Sequence, residues 1–315
     1  MKQYIVKRLL FAIPTILGSM IVVFLIIRSI PGDPVAMKFG KTATVQEIEA
    51  YREEYGYNRP KAVQLVEYIG DTLHGDLGVS MSSNQPVMDM ILDVLPNTLE
   101  LTVFGVAFAV VLGVGSGILA ALHRGSPFDV AILSLNTIFM SMPSFFFGLI
   151  IIIVLGVKLR LIPVISLNLS PEEHFLGLIG PVLTVGMGSA ASIARTTRTS
   201  MLKILGDDFI KVCRSKGISK SAIILKHALR NALTPIITVV GGTFAGYLGG
   251  AVVTETVFSR PGVGKLLVDA INARDYTVIQ GTAVFLAIFM ILVILVTDIL
   301  YGVFDPRIRI QDTNS

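Results

Sequence analysis

Six stretches of this chain run for about the length of a bilayer crossing without one Asp, Glu, Lys or Arg: Leu9–Ile27, Leu101–Leu122, Val130–Val157, Phe175–Ala194, Ala232–Thr254 and Tyr276–Thr297. A helix needs about 20 apolar residues to cross the hydrocarbon layer. A soluble helix of that length would break the run with a polar face every turn. A membrane β-barrel would show short alternating segments instead. Charged residues make up only 15% of the chain against about 25% in soluble domains, so the runs are not offset elsewhere. The expected fold is an all-α integral membrane protein with six transmembrane helices.

The first run follows the basic start MKQYIVKRLL. It exceeds the 7–15 residue core of a signal peptide and no A-x-A-like cleavage site ends it, so it reads as a retained span. With six spans both termini face the same side, and the excess of Lys and Arg in short loops marks that side as cytoplasmic. Lys2, Lys7 and Arg8 precede the first span, Arg124 follows the second, and Arg307 and Arg309 follow the last. Nine basic residues lie between Arg195 and Arg230. The expected organisation is an N-terminal segment with the first span (1–30), an extracytoplasmic helical insertion (31–97), a core of five spans (98–305) with a cytoplasmic loop at about 200–235, and a cytoplasmic tail (306–315).

The insertion is acidic and patterned for folding. Thr44 and Glu47 have the spacing of a capping box. A helix is expected to run from there to about Tyr55, stop at Gly56 and restart after Pro60. Glu49, Glu53 and Glu54 lie on it.

Small residues recur at i, i+4, i+8 in the fifth span, at Gly242, Gly246 and Gly250, and in the second at Gly113 and Gly117. Such a row lets another helix backbone approach closely. Spacing alone leaves open whether that helix belongs to the same bundle or to a second subunit. Ionisable residues are almost absent from the spans. Glu100, Glu255 and Asp298 fall near span ends, where side chains are expected to reach water or headgroups. Ion-driven carriers keep acids at mid-membrane, so any transport here draws its energy from elsewhere.

No engine or catalyst is visible. RPGVGKLL at Arg260–Leu267 resembles a P-loop only superficially: Ser259 stands where its first Gly belongs and Leu266 where its Ser/Thr belongs. His74, His123, His174 and His227 are scattered and read as surface or packing residues. Cys213 is the single cysteine, which rules out an intrachain disulfide. No metal, cofactor or enzymatic activity is expected.

The cytoplasmic loop is unusual. Asp207 and Asp208 suit a helix start. Phe209, Ile210, Val212 and Cys213 interleave with Lys211, Arg214 and Lys216 at helical spacing. Gly217 suits a helix stop and Ser219 a new N-cap. Ile223, Ile224, Ala228 and Leu229 give the second helix an apolar face, and Pro235 marks entry into the fifth span. Two readings stay open on these residues: a basic loop lying on anionic lipid, or a bent docking surface that carries motion into the spans at both ends.

DDFIKVCRSKGISKSAIILKHALRNALTPI also resembles the EAA loop of bacterial ABC-transporter permeases, with Asp208, Phe209, Arg214, Gly217, His227, Arg230, Asn231 and Pro235 in matching places. Cys213 and Ser215 stand where alanines are usual. IPGDP, GDLGVSM, LPNTLELT, MPSFFFG, ETVFSRPGVGKLLVDAINARDYTVIQG and DPRIR extend the likeness along nearly the whole chain, with Thr277 where a proline is usual. The chain is thereby similar to the B- or C-type permeases of the dipeptide/oligopeptide/nickel family.

The resemblance implies a multi-pass subunit of the bacterial inner membrane, paired with a second homologous permease, two cytoplasmic ATPase subunits and an extracytoplasmic solute-binding protein. It implies that the loop is the coupling helix, with Phe209 and Ile210 as apolar contacts to the ATPase and Arg214 and Arg230 as polar anchors. Glu49, Glu53, Glu54, Arg260, Pro261 and Gly262 are expected to face the binding protein. The cargo class it implies is di- or oligopeptide. Nickel or metallophore, glutathione and sugar cargo are alternatives within the family, and an ATP-independent channel is the alternative outside it.

Overall fold

The computed structural model describes residues 2–30, 44–54, 56–166 and 170–304. Among these all the regular secondary structure is helical, joined by short turns and loops, apart from one isolated antiparallel bridge between Val79 and Pro86. Helix α1 is Lys2–Ser29. Two short helices follow, α2 (Val45–Glu54) and α3 (Lys61–Leu73). The capping box forms as expected: the Thr44 N–H donates to Glu47 Oε2 at 2.8 Å and the Glu47 N–H donates to Thr44 Oγ1 at 3.3 Å. The stop falls at Gly56, whose φ is +69°. Tyr55 lies outside the described residues, as do the IPGDP and DPRIR motifs.

The long helices are α4 (Val87–Leu122), α7 (Pro171–Leu205), α10 (Leu229–Val257) and α12 (Tyr276–Phe304). Helix α4 lies along α7, and α10 packs on both. Helix α12 lies between α10 and α1. The α4–α7 contact is as close as two backbones can come. A Cβ on Gly113 would lie 2.7 Å from the Ala190 carbonyl, and one on Gly117 2.6 Å from that of Ala194. The second-span glycine pair therefore serves packing inside the chain.

The third run departs from expectation. Val130–Val157 is not one helix but two, α5 (Pro127–Ser141) and α6 (Ser144–Ile151), bent through 105°. A π-helical turn, Ile152–Lys158, extends α6. Pro143 is the cause. Its ring excludes the helical region for the preceding residue, and Met142 is extended at φ −84°, ψ 126°. Among the described residues five helices are long and apolar enough to cross a membrane, six if the bent pair is one span. The all-α membrane architecture stands, with a broken third element.

Candidate functional site

The basic loop between α7 and α10 folds as an elbow. Helix α8 is Asp208–Ser215. Asp207 occupies its N-cap but makes no capping hydrogen bond, and Asp208 instead accepts from Lys211 Nζ at 2.7 Å. The helix ends in a Schellman turn: the Ile218 N–H donates to the Cys213 carbonyl at 3.2 Å and the Gly217 N–H to that of Arg214 at 3.0 Å. Gly217 has φ +72°, the left-handed region that a Cβ disfavours. Ser219 caps the next helix, its Oγ accepting from the Ala222 N–H at 3.4 Å. That helix begins as α9 (Lys220–Ala222), widens into a π-helical stretch (Ile223–Ala228) and runs on into α10 without a break.

The elbow is rooted in the bundle. Ile210, Ile223, Ala228 and Ala232 are buried together with Ala109 and Ala121 of α4 and Ile193 and Met201 of α7. One cluster therefore joins both arms of the elbow to the two most intimately packed helices. Turning the elbow as a body would strain that packing, because interiors this dense do not deform locally. Phe209 and Val212 face outward instead, 39% and 52% exposed. Cys213 is half-buried against the same core.

A polar network lies at the opposite ends of these helices. Glu255, near the end of α10, is fully buried. Its Oε1 accepts from Thr98 Oγ1 of α4 at 2.6 Å and its Oε2 from the Lys265 N–H at 3.0 Å. Lys265 is in the first turn of α11 (Val263–Ala273). Thr98 Oγ1 accepts in turn from the Val263 N–H at 2.9 Å. A carboxylate at a helix N-terminus satisfies orphan N–H groups and opposes the helix dipole. Gly262 and Gly264 leave room for it: a Cβ on Gly262 would lie 2.2 Å from the Glu255 carboxyl carbon. Beside it, Glu100 of α4 pairs with Arg260 and lies 2.9 Å from His174 Nε2 of α7. Four elements, α4, α7, α10 and α11, are tied here, α11 through its backbone N–H groups.

The model described as binding-protein-dependent transport system inner membrane component matches residues 113–310, and its companion for the N-terminal part of such membrane components matches residues 1–102. This chain belongs to that family. Related permeases share its full length. The probable peptide ABC transporter permease protein y4tP of Sinorhizobium fredii is 40% identical, over 98% of this chain and 100% of the relative. The glutathione transport system permease protein GsiC of Escherichia coli O6:H1 is 39% identical over 98% and 99%. The dipeptide transport system permease protein DppB of Escherichia coli K12 is 38% identical over the same shares. In fold, the permease resembles a chain of the MetNI methionine ABC transporter, with TM-score 0.58, 21% identity, and 69% of this chain against 97% of that one.

Several sequence-level assignments for this permease need correction. Ile210 is fully buried, so it anchors the elbow from within and cannot touch a docked subunit. Arg260 is 2% exposed and held by Glu100, and Gly262 is buried against Glu255. Neither presents a surface to a binding protein, and of that trio only Pro261 is partly exposed. Glu255 does not reach water or headgroups from its span end, and His174 is a hydrogen-bond partner of Glu100. The side chain of Asp298 lies outside the described residues.

Other assigned residues remain at the surface. Arg214, Ser215, Arg230, Asn231 and Pro235 are exposed and His227 is half-buried. Asn231 Nδ2 donates to the His227 carbonyl at 2.7 Å, and Ser215 Oγ to that of Lys211 at 3.1 Å. Glu49 and Glu53 are exposed on α2, with Glu49 accepting from Arg52 and Asn58. The side chain of Glu54 is outside the described residues. Gly242 and Gly246 are exposed, and a Cβ on either would meet nothing within 4 Å among the described residues. Unlike the α4 pair, these two pack against nothing among the described residues. Gly250 falls outside the side-chain description.

Proposed function

We propose that this permease is the membrane subunit of an ATP-driven importer and that the elbow from Asp208 to Pro235 is its coupling element. ATP binding in separate cytoplasmic subunits closes them around the elbow, the elbow carries that motion into α4, α7 and α10, and the bundle alternates its access between the two sides. A docked ATPase shifts the bundle only by its difference in affinity for the two states. The observation that carries the reading is the double character of the elbow. Phe209 and Val212 face out beside exposed cations, while Ile210 and Ile223 are locked into the bundle core. A loop resting on lipid has no need of such a root.

In this reading both termini and the elbow are cytoplasmic, following the placement of Lys and Arg, and α2 and α3 are extracytoplasmic. Glu49 and Glu53 with Pro261 then face a solute-binding protein, and complementary charge favours its encounter. The bared Gly242 and Gly246 offer the close-approach strip for a second permease subunit. The cargo is a di- or oligopeptide, the class printed in the names of the peptide and dipeptide relatives. The glutathione relative, at nearly the same identity, favours a second reading in which the peptide is glutathione.

The test is Gly217. Proline cannot adopt φ +72°, so Gly217→Pro should leave the subunit inserted and abolish uptake while ATP hydrolysis continues. Gly217→Ala, which is strained but possible, should fall between. Full uptake in Gly217→Pro would end the coupling role.

A further inference from the structure

Behind the elbow lies a cavity of about 660 Å³. Its floor is apolar, built from Leu122 at the end of α4, Leu202 and Leu205 at the end of α7, and Ile218, Ile223 and Ile224 of the elbow. Its remaining side chains of note are Arg124, Arg214 and Lys220, and no acid lines it. None of these three cations is in a hydrogen bond or ion pair among the described residues. The field of Arg124 reaches Asp129, but that carboxylate is already held by Arg198 through Nε and Nη2, both at 2.7 Å. Three uncommitted positive charges thus surround a space whose walls favour hydrocarbon.

We infer that this cavity is a binding site for one anionic phospholipid, its headgroup phosphate among Arg124, Arg214 and Lys220 and its acyl chains leaving along α4. The inference rests on the proposed cytoplasmic side of the elbow. There, basic pockets between membrane helices take anionic headgroups. The volume falls within the range of ligand pockets. The path for the chains is what favours lipid over a segment of a soluble subunit. Val111 and Leu119 are 76% and 46% exposed, with Gly115 open between them, and this i, i+4, i+8 row leads down α4 to Leu122 in the cavity wall. The site is therefore continuous with an exposed apolar row on a helix long and apolar enough to cross a membrane. A lipid lodged there wedges α4 and α7 against the elbow and makes the elbow's stiffness depend on bilayer charge.

The experiment is native mass spectrometry of the full-length chain in its purified assembly, titrated with dioleoyl-phosphatidylglycerol or dioleoyl-phosphatidylcholine, which share acyl chains. Wild type should retain the phosphatidylglycerol preferentially. Near an anionic surface each cation is worth about fivefold, so Arg124→Gln with Lys220→Gln should weaken that retention about 25-fold and leave phosphatidylcholine unchanged. Both residues are exposed, and each single variant should show about fivefold, which keeps the test open should the double variant misfold. Lys158→Gln, outside the cavity, should change nothing. Equal retention of the two lipids, undiminished retention in the variants, or a partner segment cross-linked into the cavity to the exclusion of lipid would overturn the inference. Retention is read without nucleotide turnover, so its failure is distinguishable from failure of coupling at Gly217.

Discussion

The Thr98 hydroxyl donates to the Glu255 carboxylate at 2.6 Å while accepting from the Val263 N–H at 2.9 Å, so one hydroxyl joins α4, α10 and α11. Both side chains are buried, at 2% and 0% exposure. The elbow roots the same α4 and α10 at their far ends. The two helices are thus clamped at both ends, and motion applied at one clamp has a fixed point to work against at the other.

Thr98→Val removes the shared hydroxyl and leaves a buried donor and a buried acceptor without partners. The expected cost is about 1–3 kcal/mol, read as a lower Tm of the detergent-purified permease. Thr98→Ser, which keeps the hydroxyl, should recover most of it.

Glu100 and His174 should differ sharply although both touch the same network. Glu100→Gln strips the paired carboxylate from Arg260, which is 2% exposed. Breaking a buried pair from one side costs about 3–5 kcal/mol. His174→Gln removes a partner whose side chain is 39% exposed, and its effect should be within about 1 kcal/mol. Equal losses on thermal unfolding would mean that Arg260 is not held as described.

The two glycine rows make opposite predictions. Gly113→Leu or Gly117→Leu drives a side chain into the Ala190 or Ala194 carbonyl and should prevent stable folding. A Cβ at Gly246 meets no atom of the described residues within 4 Å. Gly246→Leu should leave the chain inserted and specifically reduce co-purification of a second permease. A monodisperse chain of wild-type stability from Gly117→Leu would refute the α4–α7 contact.

Asp275 gives the pH prediction. It is 2% exposed. Burial pushes its carboxyl up, but Ser80 Oγ (2.7 Å), Ser82 N and Oγ (3.0 and 2.7 Å) and Val278 N (3.2 Å) outweigh this and hold it below the usual range. A lowered folded pKa adds stability above the unfolded value of about 3.9, and that stability is lost as pH falls through the lower folded value. Tm should drop below about pH 4 in the wild type. Asp275→Asn should start lower at neutral pH and show a shallower acid drop.

The elbow was legible because its signals are local. Gly217, Ser219 and the 3.6-residue alternation of Phe209 to Lys216 each specify backbone a few residues away. The direction of individual side chains was not. Phe209 and Ile210 are adjacent and equally apolar, and only the position of α4 and α7 decides which one is buried. Pro143 carried the signal for the broken third element, but the unbroken hydropathy of Val130–Val157 concealed it. Glu255 and Arg260 read as span-end and surface residues because their partners, Thr98 and Glu100, lie 157 and 160 positions away. A hint did stand in the sequence: glycines at 262 and 264 remove the side chains that would keep a carboxylate off the backbone. Contacts over such distances exist only once the bundle is assembled.

The central claim is that Phe209 and Val212 meet an ATP-hydrolysing subunit. A photo-reactive phenylalanine analogue in place of Val212, in the native membrane, tests it most directly. The account predicts an adduct with a nucleotide-binding subunit whose yield changes between ATP-bound and nucleotide-free states. Adducts with phospholipid alone, in both states, would contradict it.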